Sequence, residues 1–166
     1  MAQHAKFFAV YDRPFWREAG LSGTAQSMVG PLVEIHDATT ATGTPGLFGF
    51  PGLSPEQRRA VGEAALTRAA LQQFARLFGS PAERPRATLY KDWAADPLTA
   101  TLADWTSAGH AHGDGPLIDG PWRRRLVLGG SESSPTESGY LAGAVEASRQ
   151  AAAEVVGRLT VTAVQD

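Results

Sequence analysis

The sequence predicts a mixed α/β fold: a mixed sheet, one long capped helix, and a C-terminal strand–turn–helix without an N-terminal Rossmann dinucleotide unit. Three observations carry this. Aromatic and β-branched runs separated by Gly and Pro punctuation recur through the first half of the chain. Ser54 to Phe78 carries an apolar stripe at helical spacing, with start and stop signals at its ends. Finally, the apolar run Leu126-Val127-Leu128 enters Gly129-Gly130, a Ser/Thr/Glu loop and a long helix of small residues.

At 166 residues the chain is long enough for one ordinary core, and a two-lobed arrangement is open to it. Apolar content of 43% and charged content of 19% fit a globular protein. A net charge of −2 gives no electrostatic case for nucleic acid or an acidic membrane surface. Cysteine is absent, which excludes disulfides, thiolate metal sites and cysteine nucleophiles. No apolar run approaches the ~20 residues of a membrane span, and the opening residues do not read as a signal peptide. The expectation is a soluble cytoplasmic protein. Only Lys6 and Lys91 are lysine among 15 basic residues, which draws attention to both.

Taken in order, Ala5–Tyr11 reads as a strand closed by Asp12-Arg13-Pro14. Pro14-Phe15-Trp16-Arg17 and a turn-rich Gly20–Gly23 follow. Pro31–His36 and Gly46–Phe50 read as two more strands. Ser54 is an N-cap, Pro55 suits the first helical position and Gln57 completes a capping box. The helix they open is expected to run unbroken to Phe78, roughly 36 Å at ~1.5 Å per residue. Val61, Ala64, Leu71, Phe74 and Phe78 mark its buried stripe; Arg58, Arg59 and Glu63 fall away from it. Gly79 and Pro81 end it. Ala87–Trp93 reads as a strand, Ala94–Trp122 as irregular, Arg123–Leu128 as a buried strand, and the last helix opens near Gly139 and frays after Leu159.

Several candidate sites have plainer readings. His110, His112 and Asp114 suit zinc by ligand type, but a Gly-rich loop makes a poor cage. Arg123-Arg124-Arg125 could hold phosphate, yet beside a strand such residues more often discourage edge pairing. Asp92, Asp96 and Asp104 lack the spacing of a paired general acid and base, and turn roles suit them better. No GxxxxGK or GxGxxG motif is present. The Gly129–Leu159 turn and helix start would suit an anionic or electron-rich ligand. Its small residues read equally as tight core packing or as close approach to a flat ligand.

Gly129-Gly130-Ser131-Glu132-Ser133, followed by Ser138-Gly139-Tyr140-Leu141-x-Gly143-Ala144-Val145-Glu146-Ala147, closely resembles the C-terminal signature of the FAD-dependent amine oxidases, the monoamine oxidase group. Lys6 with Tyr11 and Pro14–Arg17, the pair Gly20 and Gly23, and Lys91-Asp92-Trp93 resemble the same family in the same order. The resemblance implies that Lys6 holds a water near the flavin N5 and that Trp93 lies beside the flavin ring. It also implies that Ser131, within Gly130-Ser131-Glu132, meets the ribityl-pyrophosphate part. Leu141 would offer a backbone N–H to the flavin's pyrimidine edge, and Tyr140 would form one wall of an aromatic cage for the amine. Ala94 and Leu102 carry no sulfur, so FAD would be held non-covalently.

Two features depart from the family pattern. The GxGxxG unit that cradles the ADP half of FAD is missing, so the chain starts where the family would be about halfway through. Leu102-Ala103 stands where a second cage aromatic is expected. The resemblance thus implies residues 1–122 as substrate-domain-like, 123–159 as the last strand and helix of the FAD domain, and 160–166 as a tail. It implies oxidative deamination of an amine only when an N-terminal FAD-binding half complements the chain. The alternative is a non-catalytic remnant, or a small-ligand or partner-binding module without FAD. Removing the parallel neighbours of Leu126–Leu128 predicts self-association through an exposed sheet edge, or docking onto an N-terminal chain.

Overall fold

Five short strands pair into one sheet in the order β2-β3-β4-β1-β5. They are β1 (Ala5–Val10), β2 (Ala25–Gln26), β3 (Leu32–Asp37), β4 (Gly46–Pro51) and β5 (Ala87–Asp92). The computed structural model describes residues 3–101, 105, 118 and 120–163. They divide into two units, Met1–Ser107 and Ala108–Asp166, and the sheet belongs to the first.

The mixed α/β class holds, but every strand pairing is antiparallel, where a mixed sheet was expected. Parallel pairing needs the last strand as well, and that strand does not form here. Strict alternation sets the two faces of β1. Ala5, Phe7 and Ala9 are buried, while Lys6 is exposed and Phe8 and Val10 are half-buried. On the buried face Phe7 meets Phe74 with ring centroids 5.9 Å apart, so helix α3 (Glu63–Phe78) covers that side. Tyr11, Phe15 and Trp16 stack edge-to-face at 4.9–5.7 Å and complete the core beside the short helix α1 (Phe15–Glu18). Each fully buried aromatic contributes about 1.5–3 kcal/mol relative to exposure.

Two polar devices close this core. Trp16 Nε1 and Arg17 Nε donate to Asp37 Oδ2 at 2.8 and 2.5 Å, and the Thr39 N–H donates to Oδ1 at 2.9 Å. Buried Gln73 donates from Nε2 to the Leu32 carbonyl at 2.7 Å and accepts from the Leu32 N–H at 2.9 Å, as a neighbouring strand would.

The expected single helix is two. Helix α2 (Pro55–Val61) begins with the predicted Ser54–Gln57 capping box, ends at Gly62, and α3 starts anew at Glu63. Gly62 has φ 77° and ψ 152°, a conformation other residues adopt only under strain. The break resets the helical phase. Val61 and Ala64 are therefore exposed, whereas Arg58 is buried, the reverse of the continuous-helix expectation. Leu66, Ala70, Gln73, Phe74 and Phe78 form the actual buried face.

In the second unit, Arg123–Leu128 is not the buried strand expected. A 3-10 turn covers Gly120–Arg124, residues 126–129 have no regular structure, and Leu126 and Leu128 are 44% and 40% exposed. An apolar run becomes a strand only with a hydrogen-bonding neighbour, and the described residues of this unit supply none. The sheet edge invoked for self-association is therefore not formed, although its apolar side chains remain exposed. Arg123 accordingly lies within a turn and Arg125 directly after it, and neither flanks a strand. A second 3-10 turn spans Ser131–Ser133, and helix α4 runs from Leu141 through Ala163, past the point where fraying was expected.

Candidate functional site

The sheet face turned away from α3 carries Lys6. Cross-strand register places Lys6 opposite Lys91, and Phe8 opposite both Leu89 and Phe48. Paired residues share a face, so this side gathers both lysines of the chain with three apolar residues. Phe48 meets Phe50 edge-to-face at 4.7 Å and stacks on His36 at 6.4 Å, and His36 Nε2 lies 2.7 Å from Glu34 Oε1. Lys6 Nζ stands 5.9 Å from the Phe48 and Phe50 ring centroids. Among the described residues no carboxylate pairs with it. The result is an apolar depression of about 420 Å³ with an ammonium at its rim, bounded by Phe8, Phe48, Leu89 and Tyr90. The sequence reading missed Phe8, Phe48, Phe50 and His36. Their period-two spacing was legible, but which face of each strand lies open depends on where α3 packs.

Lys91, across from Lys6, is committed elsewhere. Its ammonium donates to Asp96 at 2.5 Å and lies 4.9 Å from the Trp93 ring centroid. The hydrogen bond from Lys91 holds the Asp96 carboxyl below its ordinary range. Trp93 opens a 3-10 turn, Trp93–Ala95, beyond the end of β5. Its N–H donates to the His4 carbonyl at 3.1 Å, and Asp92 Oδ1 caps the turn by accepting from the Ala94 N–H. Asp92 in turn receives two parallel bonds of 2.7 Å from buried Arg58. Burial, followed by the Asp92 charge, pushes the neighbouring Tyr90 hydroxyl up to about 12. An open cleft of about 680 Å³ lies over this cluster, bordered by Arg59, Glu63, Asp96 and Trp105.

The remaining predicted site residues lie in the second unit. Small residues on α4 let it sit tightly on the loop before it. A Cβ on Gly143 would come 2.0 Å from the Glu137 carbonyl oxygen, and one on Gly129 would touch Ala151 at 3.2 Å. Glu146 Oε2 accepts from Ser134 Oγ at 2.6 Å and Thr136 Oγ1 at 3.0 Å, while Ser148 Oγ donates to the Gly129 carbonyl. This scaffold presents Ser131 and Glu132 on the 3-10 turn, with the Glu132 carboxylate folded over Gly130. Gly139, at φ 82°, turns the chain into Tyr140 and Leu141, which are 55% and 89% exposed at the start of α4. The structure thus places Lys6 on β1 and Trp93 in the turn just beyond the paired strand β5, and Gly130, Ser131, Glu132, Tyr140 and Leu141 in the other unit.

Asp104, Leu102, Ala103 and the His110, His112, Asp114 loop lie outside the described residues. Among the described residues no three His, Asp or Glu side chains gather as a metal site, and no helix is long and apolar enough to cross a membrane.

The first unit thus presents a lysine over an aromatic sheet face and a tryptophan just beyond the adjoining strand, and the second a Gly/Ser/Glu turn feeding a small-residue helix. Residues 1–156 match the family described as flavin containing amine oxidoreductase, and the chain belongs to that family. A Mycobacterium tuberculosis protein named as flavin-containing monoamine oxidase AofH is 31% identical over 93% of this chain and 34% of its own length. A Dictyostelium discoideum protein named as flavin-containing monoamine oxidase A is 28% identical over 96% of this chain and 35% of its own length. Cyclohexylamine oxidase from Brevibacterium oxydans IH-35A superposes with a TM-score of 0.73, at 26% identity, covering 96% of this chain and 36% of that one. Putrescine oxidase bound to putrescine gives 0.59 at 25% identity, covering 92% of this chain and 35% of that one. The chain thus spans about a third of the length of the relatives it matches.

The family's cofactor is FAD, and the residues present fit one wall of its site. The first N–H groups of α4 and the Ser131 hydroxyl are donors suited to electron-rich ring edges and phosphate oxygens. Glu132 accepts only, which suits a sugar hydroxyl and repels a phosphate.

Proposed function

We propose that this chain forms the amine-facing wall and one cofactor-facing wall of a flavin amine oxidase. In this reading an amine is oxidised to the imine, which hydrolyses to the carbonyl compound. The observation that supports it is the Lys6 ammonium, without a carboxylate partner among the described residues, on an aromatic sheet face.

When bound, FAD would supply the two-electron acceptor for oxidation of the amine. Lys6 holds a water over the reacting centre, and Trp93 bounds the cofactor ring. Phe8, Phe48 and Leu89 exclude solvent and favour an apolar substrate body. Tyr140 offers its ring face to the approaching amine. Ser131 and the Leu141 N–H hold polar edges of FAD, assisted by the positive end of α4, while Glu132, beside Gly130, accepts from a sugar hydroxyl. Residues 1–122 serve the substrate side and 123–159 the cofactor side.

The rest of the family's FAD-binding domain is required, carried on this polypeptide or on a second one. The protein, alone and mixed with such an FAD-binding half, is therefore assayed for bound-flavin absorbance and then for hydrogen peroxide release with a panel of amines. Flavin colour in the mixture with amine-dependent peroxide is the expected result. A mixture that stays colourless makes the chain a non-catalytic module. Full activity after Lys6→Met removes Lys6 from its role.

A further inference from the structure

We propose that Arg58 is a positioning residue for this reaction, setting the placement of Trp93 relative to Lys6; the role rests on the amine oxidase reading above. Among the described residues Arg58 is the one charged side chain that is fully buried, with 4% of its surface exposed. Removing a guanidinium from water is unfavourable unless its donors are met by well-placed acceptors, and here they are. Nε and Nη2 form a fork onto the two oxygens of Asp92, both at 2.7 Å. Nη1 donates to the Leu53 carbonyl at 2.6 Å and Nη2 to the Gln3 carbonyl at 2.9 Å. Such a planar bidentate pair fixes direction as well as distance.

What the fork joins gives it a role beyond stability. The ladder between β1 and β5 ends at the Ala5–Asp92 pair, and Trp93 prolongs it by one bond, from its N–H to the His4 carbonyl, before the chain turns. Its placement rests on its N–H on the His4 carbonyl, the Asp96 N–H on its own carbonyl, the Asp92 cap on Ala94, and Lys91 over its ring. Arg58 holds the carboxylate that makes the cap. It also holds Gln3, the residue before His4, and thereby the approach to Lys6. One buried side chain on α2 thus ties the segment preceding Lys6 to the segment carrying Trp93.

The test uses the full chain labelled with 5-fluorotryptophan, its four tryptophan 19F resonances assigned by single Trp→Phe substitutions. Arg58→Lys keeps the charge and loses the fork; Asp92→Asn keeps an acceptor for the Ala94 N–H and loses the charge. In both, the Trp93 resonance should shift or split while that of core Trp16 stays at its parent position. A Trp93 resonance unmoved in both variants overturns the proposal, even if the melting temperature falls. Should Arg58→Lys lose the Trp16 signal through unfolding, Asp92→Asn decides alone.

In the flavin-loaded, complemented enzyme the same variants should lower kcat roughly tenfold or more, with KM within about twofold. An unchanged kcat also overturns the proposal. Failure of the underlying reading has a different signature. If Trp93→Phe leaves flavin fluorescence and kcat untouched, Trp93 has no catalytic placement to protect, while the 19F coupling between Arg58 and Trp93 persists.

Discussion

Gln73 and Asp37 show how single side chains complete the core. Gln73 satisfies both backbone groups of Leu32 from inside the protein. Replacing it with Leu strands a buried N–H and a buried C=O at about 1–3 kcal/mol each. Urea denaturation of Gln73→Leu should therefore show a loss of about 2–6 kcal/mol; a loss below about 1 kcal/mol would mean that water replaces the amide. For Asp37, burial alone would raise the carboxyl pKa, but bonds from Arg17, Thr39 and Trp16 prevail and hold it well below the carboxylate range. A folded-state value below the unfolded one makes its contribution present above about pH 4 and lost as pH falls toward the folded value. Asp37→Asn should flatten the loss of stability between roughly pH 5 and pH 2 relative to the parent, read by chemical denaturation across that range. At this scale the sequence was unevenly legible. Lys6 stood out because lysine is scarce, and the Ser54–Gln57 box because its spacing is local. Gln73 and Arg58 did not, since a polar residue inside a helix reads as solvent-facing until its distant partner, Leu32 or Asp92, is known.

The elements formed where local signals and long-range partners agreed. Strands β1, β3, β4 and β5 fall close to their expected bounds because alternation and turn residues delimit them. Two elements failed for different reasons. Gly62 sits among strong helix formers, where a glycine is usually tolerated, so nothing local announced the break between α2 and α3. Leu126–Leu128 has strand composition, but pairing is a property of two segments and the sequence shows one. The break itself is testable by one substitution. In a continuous helix Gly62→Ala would stabilise by about 1 kcal/mol. At φ 77° and ψ 152° the added Cβ meets open space but a strained backbone, and the expected change is a loss of about 1–3 kcal/mol. Thermal or urea unfolding of the single variant decides the sign, and a stabilised protein would restore the unbroken helix.

At the scale of the whole molecule, helix α4 has one face engaged and another exposed. Gly143, Ala147 and Ala151, at four-residue spacing, lie against the loop that precedes the helix. Leu141, Val145, Val156 and Leu159 fall on a second apolar stripe and are 53–89% exposed. Monomeric proteins seldom leave such a stripe bare, and Leu126 and Leu128 add to the exposed apolar surface of the same unit. The chain covers 34% of the length of its Mycobacterium tuberculosis relative, and the surface proposed to cover this stripe is the remainder of the family's FAD-binding domain. Without that surface the chain is expected to self-associate. Size-exclusion chromatography with light scattering should then give a mass that rises with concentration. Val145→Glu together with Val156→Glu should lower that mass without reducing helical circular dichroism, because neither side chain belongs to the packed Gly143–Ala151 face. Addition of the FAD-binding half should suppress association of the parent and form a one-to-one complex. That complex should be weakened by the same two substitutions, since both partners compete for one stripe. A clean monomer across a wide concentration range would count against self-association, and an unaltered complex with the double variant would place the docking surface elsewhere.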